Sequence, residues 1–400
     1  MATLTVEQAI DLLVAGILPL PSETLPLAAA RTRTLAEPIT ARLTQPPFAA
    51  SAMDGYAVRL SDIATLPATL TIVGESAAGA RFHGTLAPGQ AVRILTGAPV
   101  PHGADAIVIQ ENTRRDGTAL TVLEGTPDAA HIRPLGGDFH HGQHLVDAGR
   151  TLDARTLTLA AASGHATIPV RRRPRVAILA TGSELVPPGT TPGPDQIVSS
   201  NPIGIAALIE GFGGDPILLG IAPDNLGAIA ALIEQARDYD LLITSGGASV
   251  GDHDLVRPAL ESLGVALEFW RIAMRPGNPV LFGHLGPLRV LGVPGNPVSA
   301  LLCTRIFAGP MIGAMLGRPA AHAAPRQILL GSTLAPNGPR QHYMRAVIET
   351  RDGRETVSAV PNQDSSLLTP LARANALIIR KPNAPAEPAG APVPVILIDF

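Results

Sequence analysis

This 400-residue sequence has few aromatic side chains and little net charge. Phe, Trp and Tyr make up 3% of the residues, too few for a surface that stacks single-stranded nucleic acid or for the aromatic girdles of a membrane barrel. The 30 Lys and Arg against 33 Asp and Glu give a formal net charge of −3, which excludes a broad cationic surface for DNA. We therefore expect no nucleic acid among its partners.

Cysteine is nearly absent, and no stretch reads as a membrane anchor. Cys303 is the single cysteine, so neither an intramolecular disulfide nor a cysteine-based metal site can form, which is typical of a reducing compartment. The start of the chain is acidic rather than basic, unlike a signal peptide. The most apolar long stretch, 299–317, is interrupted by Arg305 and Pro310, and we expect a buried helix there. These features predict a cytoplasmic protein with no membrane contact.

Glycine and proline, in contrast, are abundant, at 40 and 39 residues, and divide the chain into short apolar segments. Four hundred residues exceed what one compact core supports, so we expect several domains. The predicted domains are an N-terminal and linking domain formed by 1–45 with 138–170, a small β domain over 46–137, an α/β domain over 171–317 and a C-terminal β domain over 318–400. The basic run 171–173 is interpreted as part of a solvated link.

The spacing of apolar residues predicts the fold of these parts. Short runs at 69–73, 91–95 and 106–109 lie between Gly, Pro and Asp turns, which suits a small barrel or sandwich. Predicted strands at 176–179, 216–221 and 241–243 alternate with predicted helices at 202–210, 226–236 and 255–263. This alternation predicts an α/β fold with a central, doubly wound, mostly parallel sheet, with additional small β-rich domains in a multi-domain chain. Ligands of such sheets bind at the carboxyl ends of the strands.

Three strand ends in the α/β region lead into turns rich in glycine and hydroxyl groups. They are Thr181-Gly182-Ser183-Glu184, Ser245-Gly246-Gly247-Ala248-Ser249 and Pro294-Gly295-Asn296-Pro297. Glycine lets successive backbone amides converge, and a helix that follows adds its positive end, so these loops favour a phosphate-bearing ligand. Tight turns without a ligand are the alternative. The usual nucleotide fingerprints, Gly-x-Gly-x-x-Gly and Gly-Lys-Ser/Thr, are missing.

Carboxylates cluster near the same strand ends, at Glu184, Asp224, Asp252 and Asp254. Carboxylate and phosphate oxygens together are the ligands that Mg²⁺ prefers, so we expect Mg²⁺ to act with the phosphate-bearing ligand. For any one of these acids, a solvated surface role or a helix cap is an equal alternative.

A short repeat supplies a third candidate feature. Arg275-Pro276-Gly277-Asn278-Pro279-Val280 is followed by Val293-Pro294-Gly295-Asn296-Pro297-Val298. Each copy forms a rigid turn, and Arg271 and Arg275 lie beside the first one. The planar guanidinium donates two hydrogen bonds at once, so this region predicts the binding of a small tetrahedral oxyanion.

At these residues the sequence resembles the molybdopterin molybdenumtransferases, the molybdenum-insertion enzymes that include the E domain of gephyrin. The resemblance covers essentially the whole chain through five motifs, at residues 51–58, 93–99, 181–185, 245–251 and 294–299. It implies an elongated four-part homodimer whose active site lies between the α/β domain of one subunit and the small β domain of the other. It also implies that Mg²⁺-dependent insertion of molybdenum from molybdate into adenylylated molybdopterin releases AMP. The molybdopterin adenylyltransferase is a candidate partner.

The resemblance also assigns roles to individual residues. It implies catalytic roles for Asp54 and Thr96, which would face the partner subunit, and catalytic and metal-binding roles for Glu184, Asp224 and Asp254. The loops that would hold the pterin ligand contain Thr181, Gly182, Ser245, Gly246, Gly247, Ser249, Pro294, Gly295, Asn296 and Pro297. The oxyanion would be bound by Arg271, Arg275, Asn278, Arg345 and Ser365.

The sequence departs from the family pattern in the oxyanion region. Where the family usually has Lys-Pro-Gly-Lys-Pro, this chain has Arg275-Pro276-Gly277-Asn278-Pro279, and Arg271 also replaces a usual Lys. Asn278 removes one cation, which should weaken anion binding by about 1 to 3 kcal/mol in a partly buried pocket. Two alternatives to molybdate insertion follow: a non-catalytic module that binds a pterin nucleotide or acts as a scaffold, and the same transfer with tungstate.

Overall fold

The computed structural model describes residues 3–125, 128–247, 255–319, 325–351 and 353–398. Ser249, Asp252 and Asp254, which the sequence analysis places at the site, lie outside the described residues. The helices are α1 Val6–Val14, α2 Ala154–Ala162, α3 Asn201–Gly211, α4 Leu226–Glu234, α5 Val256–Ser262, α6 Pro297–Cys303, α7 Gly309–Met315 and α8 Leu368–Arg373, with a π-helical turn Thr304–Ala308 between α6 and α7.

The strands of the N-terminal half are β1 Ser22–Pro26, β2 Ile39–Thr40, β3 Ala50–Ser51, β4 Gly55–Val58, β5 Ala68–Ser76, β6 Gln90–Ile94, β7 Ala106–Ile109, β8 Thr113–Asp116, β9 Ala119–Val122, β10 Ile132–Arg133, β11 His144–Val146 and β12 Thr167–Arg171. The strands of the α/β region are β13 Arg175–Thr181, β14 Leu185–Val186, β15 Ile197–Val198, β16 Asp215–Ala222, β17 Leu241–Ser245, β18 Ala266–Phe269, β19 Met274–Arg275, β20 Leu281–Leu285 and β21 Leu288–Val293. The C-terminal strands are β22 Arg326–Leu330, β23 Gln341–Arg351, β24 Arg354–Ala359, β25 Ala376–Arg380 and β26 Pro392–Leu397.

Two segments that are distant in sequence pair near the N-terminus. Strand β1 pairs with β12, and β2 pairs with β11, both antiparallel. The apolar side chains between them form a small core of their own, which includes Leu35, Ile39, Leu152, Ile168 and Val170. The stretch 138–170 is therefore not a simple connection, because it supplies a helix and strands to this unit.

The β domain contains a six-stranded sheet in the order β7-β4-β6-β5-β9-β8. Both faces are covered, since Tyr56 and Val58 of β4 belong to one apolar cluster and the intervening Ala57 belongs to another. The strands predicted at 69–73, 91–95 and 106–109 are confirmed as β5, β6 and β7.

The α/β domain is built on a sheet in the order β16-β13-β17-β21-β20-β18. The first four strands are parallel to one another, and β20 pairs antiparallel with both β21 and β18. Along β13, Val176 and Ile178 pack into one core while Ala177 and Leu179 pack into a second, so the sheet is covered on both faces. This confirms the predicted fold and explains why β13 is apolar at every position rather than at alternate ones.

The C-terminal domain is a closed barrel. Its strands follow the order β23-β24-β22-β26-β25, and β25 pairs again with β23 to complete the ring. Strand β19, from the α/β domain, pairs in parallel with the start of β23. The barrel is thus joined to the α/β domain by strand pairing as well as by the chain itself.

The apolar stretch at 297–315 is a core helix. Among the described residues, Pro297–Met315 is long and apolar enough to cross a membrane by length and composition, and 67% of its apolar window is buried inside the protein. Its side chains share the core of the α/β sheet with α1, as expected for a buried helix.

The basic run 171–173 does not form a solvated link, in contrast to the sequence interpretation. Arg171 donates to Leu20 O and Ala36 O, and both Nη atoms of Arg172 donate to the Asp240 carboxylate, at 2.9 and 2.8 Å. The prediction was wrong because these acceptors come from segments distant in sequence. The run fastens the N-terminal part of the chain to the α/β domain.

Candidate active site

Three loops meet at the carboxyl ends of β13, β17 and β21. Gly246 N donates to Val293 O at 3.2 Å, and Asn201 Nδ2 donates to Ser245 Oγ at 3.0 Å and to Gly295 O at 2.7 Å. Gly246 has φ +98°, and a Cβ at this position would lie 2.5 Å from Thr181 O, so only glycine fits there. The three predicted ligand-binding loops, 181–184, 245–247 and 294–297, are therefore brought together, and we call them the loop edge. Asn201, at the start of α3, links two of them.

Buried hydroxyl groups lie directly beneath these loops. Thr181 Oγ1 and Thr244 Oγ1 are buried at the ends of β13 and β17 and have no hydrogen-bond partner among the described residues. Thr181 Oγ1 lies 3.0 Å from the place of a Cβ on Gly246 and 3.2 Å from that of a Cβ on Gly247. Burying a hydroxyl group without a hydrogen-bond partner costs free energy. The loop edge therefore has two hydroxyl groups available for hydrogen bonds that the described residues do not provide.

Two of the predicted acids lie at the ends of the neighbouring strands β13 and β16. Ser183 N donates to Asp224 Oδ2 at 3.0 Å, and Asp224 N donates to Ser183 Oγ at 2.9 Å. These two hydrogen bonds join the loops that follow β13 and β16. The Glu184 carboxylate lies against Gly182, in the space that a Cβ at this position would need. Within the described part of the chain no three His, Cys, Asp or Glu side chains are grouped for a metal ion. Mg²⁺ commonly uses one or two carboxylates with phosphate oxygens, and the oxygen donors of Glu184 and Asp224 fit that chemistry.

Asp54 and Thr96 form a second, separate group on the β domain. The Thr96 backbone N–H and hydroxyl both donate to Asp54 Oδ1, at 2.7 and 2.8 Å. These hydrogen bonds, first that of the backbone and then that of the hydroxyl, hold the pKa of Asp54 below its usual value, and Arg93 adds a smaller effect. The carboxylate is therefore ionised and exposed at neutral pH, with its orientation fixed by Thr96.

A cavity of about 860 Å³ separates the α/β domain from the barrel. On the α/β side it is lined by the two Pro-Gly-Asn-Pro turns, and the predicted residues that reach it are Arg275, Asn278, Pro294, Asn296 and Ser365. Asn296 Nδ2 donates to Ser365 Oγ at 2.9 Å, and Val298 N donates to Ser365 O at 3.1 Å. These two hydrogen bonds join the barrel loop that carries Ser365 to the turn 294–297, which is also part of the loop edge.

Comparison with known proteins identifies the family. Residues 4–164 match the MoeA N-terminal region (domain I and II), 177–314 match the probable molybdopterin binding domain, and 327–398 match the MoeA C-terminal region (domain IV). The molybdopterin molybdenumtransferase of Nostoc sp. is 38% identical over 370 residues, which covers 90% of this chain and 84% of the relative. The chain belongs to the molybdopterin molybdenumtransferase family.

Other relatives agree with this assignment. Molybdopterin molybdenumtransferase 2 of Mycobacterium tuberculosis is 37% identical over 366 residues, covering 89% of this chain and 90% of the relative. A crystal structure of the molybdopterin biosynthesis MoeA protein from Pyrococcus horikoshii superimposes with a TM-score of 0.86 at 27% identity and covers 100% of both chains. The molybdopterin molybdenumtransferase architecture therefore extends over the whole chain.

Two of the oxyanion residues implied by the resemblance to molybdopterin molybdenumtransferases do not line the cavity. Arg271 is exposed and lies over the Trp270 ring, 5.5 Å from its centroid. Arg345 is 1% exposed, and its guanidinium donates to three backbone carbonyls, those of Leu367, Asn362 and Asp364, at 3.0, 3.2 and 2.9 Å. This places Arg345 beneath the loop that carries Ser365, where it positions that loop rather than facing the cavity.

The cavity also contains residues that the sequence analysis missed, among them Asn337, Arg340, His342 and Arg380. The alternation of residues along the strands could have identified two of them. In β23 and β25 the alternate residues Met344, Ala346, Ala376 and Ile378 pack into the barrel core, and the same alternation places His342 and Arg380 on the inward face. Ionisable residues at inward positions of a strand are unusual and mark a candidate site.

Proposed function

We propose that this chain inserts molybdenum from molybdate into adenylylated molybdopterin and releases AMP. The observation that carries the proposal is the hydrogen bond between Asn296 and Ser365, which joins the glycine-rich loop edge to the arginine-lined cavity. A pterin nucleotide on the loop edge and a tetrahedral oxyanion in the cavity would then lie on two sides of one turn. Membership of the molybdopterin molybdenumtransferase family supports the same reaction.

Different residues would bind the phosphates, the oxyanion and Mg²⁺. Backbone N–H groups of the turns around Gly246 and Gly295 would hold the ligand's phosphates, because convergent amides favour anions. Arg275 would bind the oxyanion from the cavity side, with Asn278 and Ser365 as neutral partners. Glu184 and Asp224 would hold Mg²⁺, which when bound offsets the charge of the departing AMP. Fixed donors of this kind stabilise developing charge without reorganisation.

A homodimer would complete the site. Asp54 and Thr96 lie on the β domain, and neither lines the cavity between the α/β domain and the barrel of the same chain. The fixed, ionised Asp54 carboxylate would approach the α/β loop edge of the partner subunit. In this proposal the dimer works in the cytoplasm and receives its substrate from the molybdopterin adenylyltransferase.

Release of AMP tests the proposal directly. Purified protein is mixed with adenylylated molybdopterin, molybdate and Mg²⁺, and AMP is quantified by chromatography. We expect Asp224→Asn to reduce the rate at least about 100-fold, since the charge stabilisation that a bound Mg²⁺ would supply is on the order of several kcal/mol. Asp215→Asn is the matched control, because Asp215 is exposed at the opposite end of the same strand. A wild-type chain that binds the substrate but releases no AMP would instead be the non-catalytic binding module.

A further inference from the structure

Asn201 lies at the start of α3, and its side chain contacts two of the three loops of the loop edge. Its Nδ2 donates to Gly295 O at 2.7 Å and to Ser245 Oγ at 3.0 Å. A backbone carbonyl can only accept a hydrogen bond, so the amide nitrogen of Asn201 must face Gly295. An amide nitrogen accepts no hydrogen bond, so Ser245 Oγ must accept from it. The carbonyl of Gly295 thus determines the direction of both hydrogen bonds.

The hydroxyl proton of Ser245 is left over by this arrangement. A hydroxyl group donates one hydrogen bond and accepts others, and Asn201 uses an acceptor position. In the part of the chain that the structure describes, Asn201 Nδ2 is the hydrogen-bond partner of Ser245 Oγ, and no acceptor for the proton is present. Ser245 is 3% exposed, and a buried donor without an acceptor costs free energy. A ligand that offers an acceptor here would remove this cost.

The surroundings of Ser245 favour an acceptor with negative charge. Two further buried hydroxyl groups, those of Thr181 and Thr244, lie at the same strand ends and lack a partner among the residues described. For the described chain, the Ser200 side chain, at the N-cap of the 11-residue helix α3, makes no hydrogen bond to the first turn. The positive end of this helix is therefore not offset by a capping side chain. Hydroxyl donors beside it suit a phosphate oxygen better than a neutral acceptor.

We propose that Asn201 is a positioning residue of the loop edge, which directs the Ser245 hydroxyl proton to a phosphate oxygen of the adenylylated molybdopterin. The inference rests on the proposed function, because it concerns the phosphate-bearing ligand of that reaction. Asn201 acts through Ser245 and does not itself touch the ligand. Its hydrogen bond to Gly295 O keeps the amide from turning, so the serine donor is oriented before the ligand binds. A donor fixed in this way needs no reorganisation on binding.

A double-mutant cycle on the full-length chain tests this inference. Adenylylated molybdopterin is titrated calorimetrically, with Mg²⁺ but without molybdate so that the proposed transfer cannot take place, into the wild type, Asn201→Ala, Ser245→Ala and the double variant. We expect each single variant to bind at least about tenfold more weakly, the loss typical of a hydrogen bond to a charged group. The double variant should bind about as weakly as Ser245→Ala, because Asn201 acts through Ser245. If Asn201→Ala causes the same fold-loss with and without the Ser245 hydroxyl, the inference is wrong.

Two further variants separate positioning from a general structural effect. Asn201→Asp keeps the shape of the side chain but offers only acceptors, so the Ser245 proton would turn towards it. This variant should bind at least as weakly as Asn201→Ala, and tighter binding would contradict the inference. Asn375→Ala is the matched control, because Asn375 also bonds to backbone groups, those of Ile348 at 2.7 and 3.1 Å, but does so within the barrel. It should bind like the wild type. Urea unfolding verifies that each variant is folded, and an equal loss of affinity in Asn375→Ala would contradict the inference.

The outcomes separate this inference from the proposed function. If the wild type binds the ligand and releases AMP once molybdate is added, while Asn201→Ala binds the ligand equally well, the inference is wrong and the function stands. If the wild type binds the ligand but releases no AMP, and Asn201→Ala still weakens binding, the positioning role stands and the transfer is wrong. If the wild type does not bind the ligand, both are wrong.

Discussion

At the scale of single residues, His342 has the most unusual electrostatic environment in the cavity. Burial, followed by the positive charges of Arg275, Arg340, Arg345 and Arg380, lowers its pKa from 6.5 to about 4. The imidazole is therefore neutral at pH 7. It adds a hydrogen-bonding group to the cavity without increasing the repulsion among the guanidinium groups around it.

This shift predicts how stability depends on pH. Between pH 6.5 and 4 the unfolded chain protonates this imidazole and the native protein does not, so the free energy of unfolding falls as the pH falls through this window. The contribution is fully present above pH 6.5 and is on the order of 3 kcal/mol. Urea denaturation of the wild type and His342→Gln at several pH values should show a shallower decline in the variant. His141→Gln, on an exposed loop, is the control, and equal declines in wild type and His342→Gln would contradict the assignment.

Residue identity alone predicted part of this cavity. Arg275 and Ser365 were found because the first lies in a recognisable turn and both match family positions. Arg345 was assigned to the oxyanion on the same basis, yet it lies on the face of β23 opposite to His342 and binds backbone carbonyls. The sequence pattern gives a residue's charge, whereas the pairing of the strand decides which side that charge faces.

At the scale of elements, local patterns predicted most helices and strands correctly. Thr5 and Gln8 form a capping box at the start of α1, with hydrogen bonds of 3.2 and 3.0 Å, a local sequence signal for the start of a helix. Strand β13 was recognised because both faces of a parallel sheet are buried. Closure of the barrel and the pairing of β19 with β23 were not predicted, since they depend on contacts between segments 30 to 67 residues apart for which no local signal exists.

The turn after β19 is an element whose geometry allows a sharp test. Gly277 has φ +98°, and a Cβ there would collide with the buried Cys303 Sγ. We expect Gly277→Ala to lower the free energy of unfolding by about 2 to 4 kcal/mol, from overpacking and from the left-handed backbone together. Gly338→Ala, which lines the same cavity without a close neighbour or a positive φ, should change it by less than about 0.5 kcal/mol.

A double variant separates the two causes. Cys303→Ala removes the sulfur atom that the new methyl group would meet, so Gly277→Ala should be less destabilising in that background. The part that remains measures the cost of the backbone conformation. Thermal and urea unfolding of the four proteins provide the comparison. If the penalty of Gly277→Ala is the same with and without Cys303, the predicted collision does not determine it.

At the scale of the whole molecule, side-chain hydrogen bonds and strand pairing join parts of the chain that are distant in sequence. Arg172 and Asp240 join the N-terminal region to the α/β sheet, and Arg318 donates to Thr34 Oγ1 and to Phe212 O. On the other side the barrel is held by Ser365 and by the pairing of β19 with β23. The candidate site thus depends on the arrangement of domains, which is why motifs of the α/β domain predicted only the α/β side of its wall.

The central claim is that molybdate binds between the α/β domain and the barrel, next to the loop edge that holds the pterin nucleotide. The most direct measurement is anomalous diffraction at the molybdenum absorption edge from crystals soaked with molybdate and AMP. We expect a molybdenum peak within hydrogen-bond distance of Arg275 and Ser365, with AMP at the Gly246 and Gly295 loops and the partner subunit's Asp54 facing it. A well-occupied peak found solely outside this cavity, in crystals of protein that releases AMP, would contradict the account.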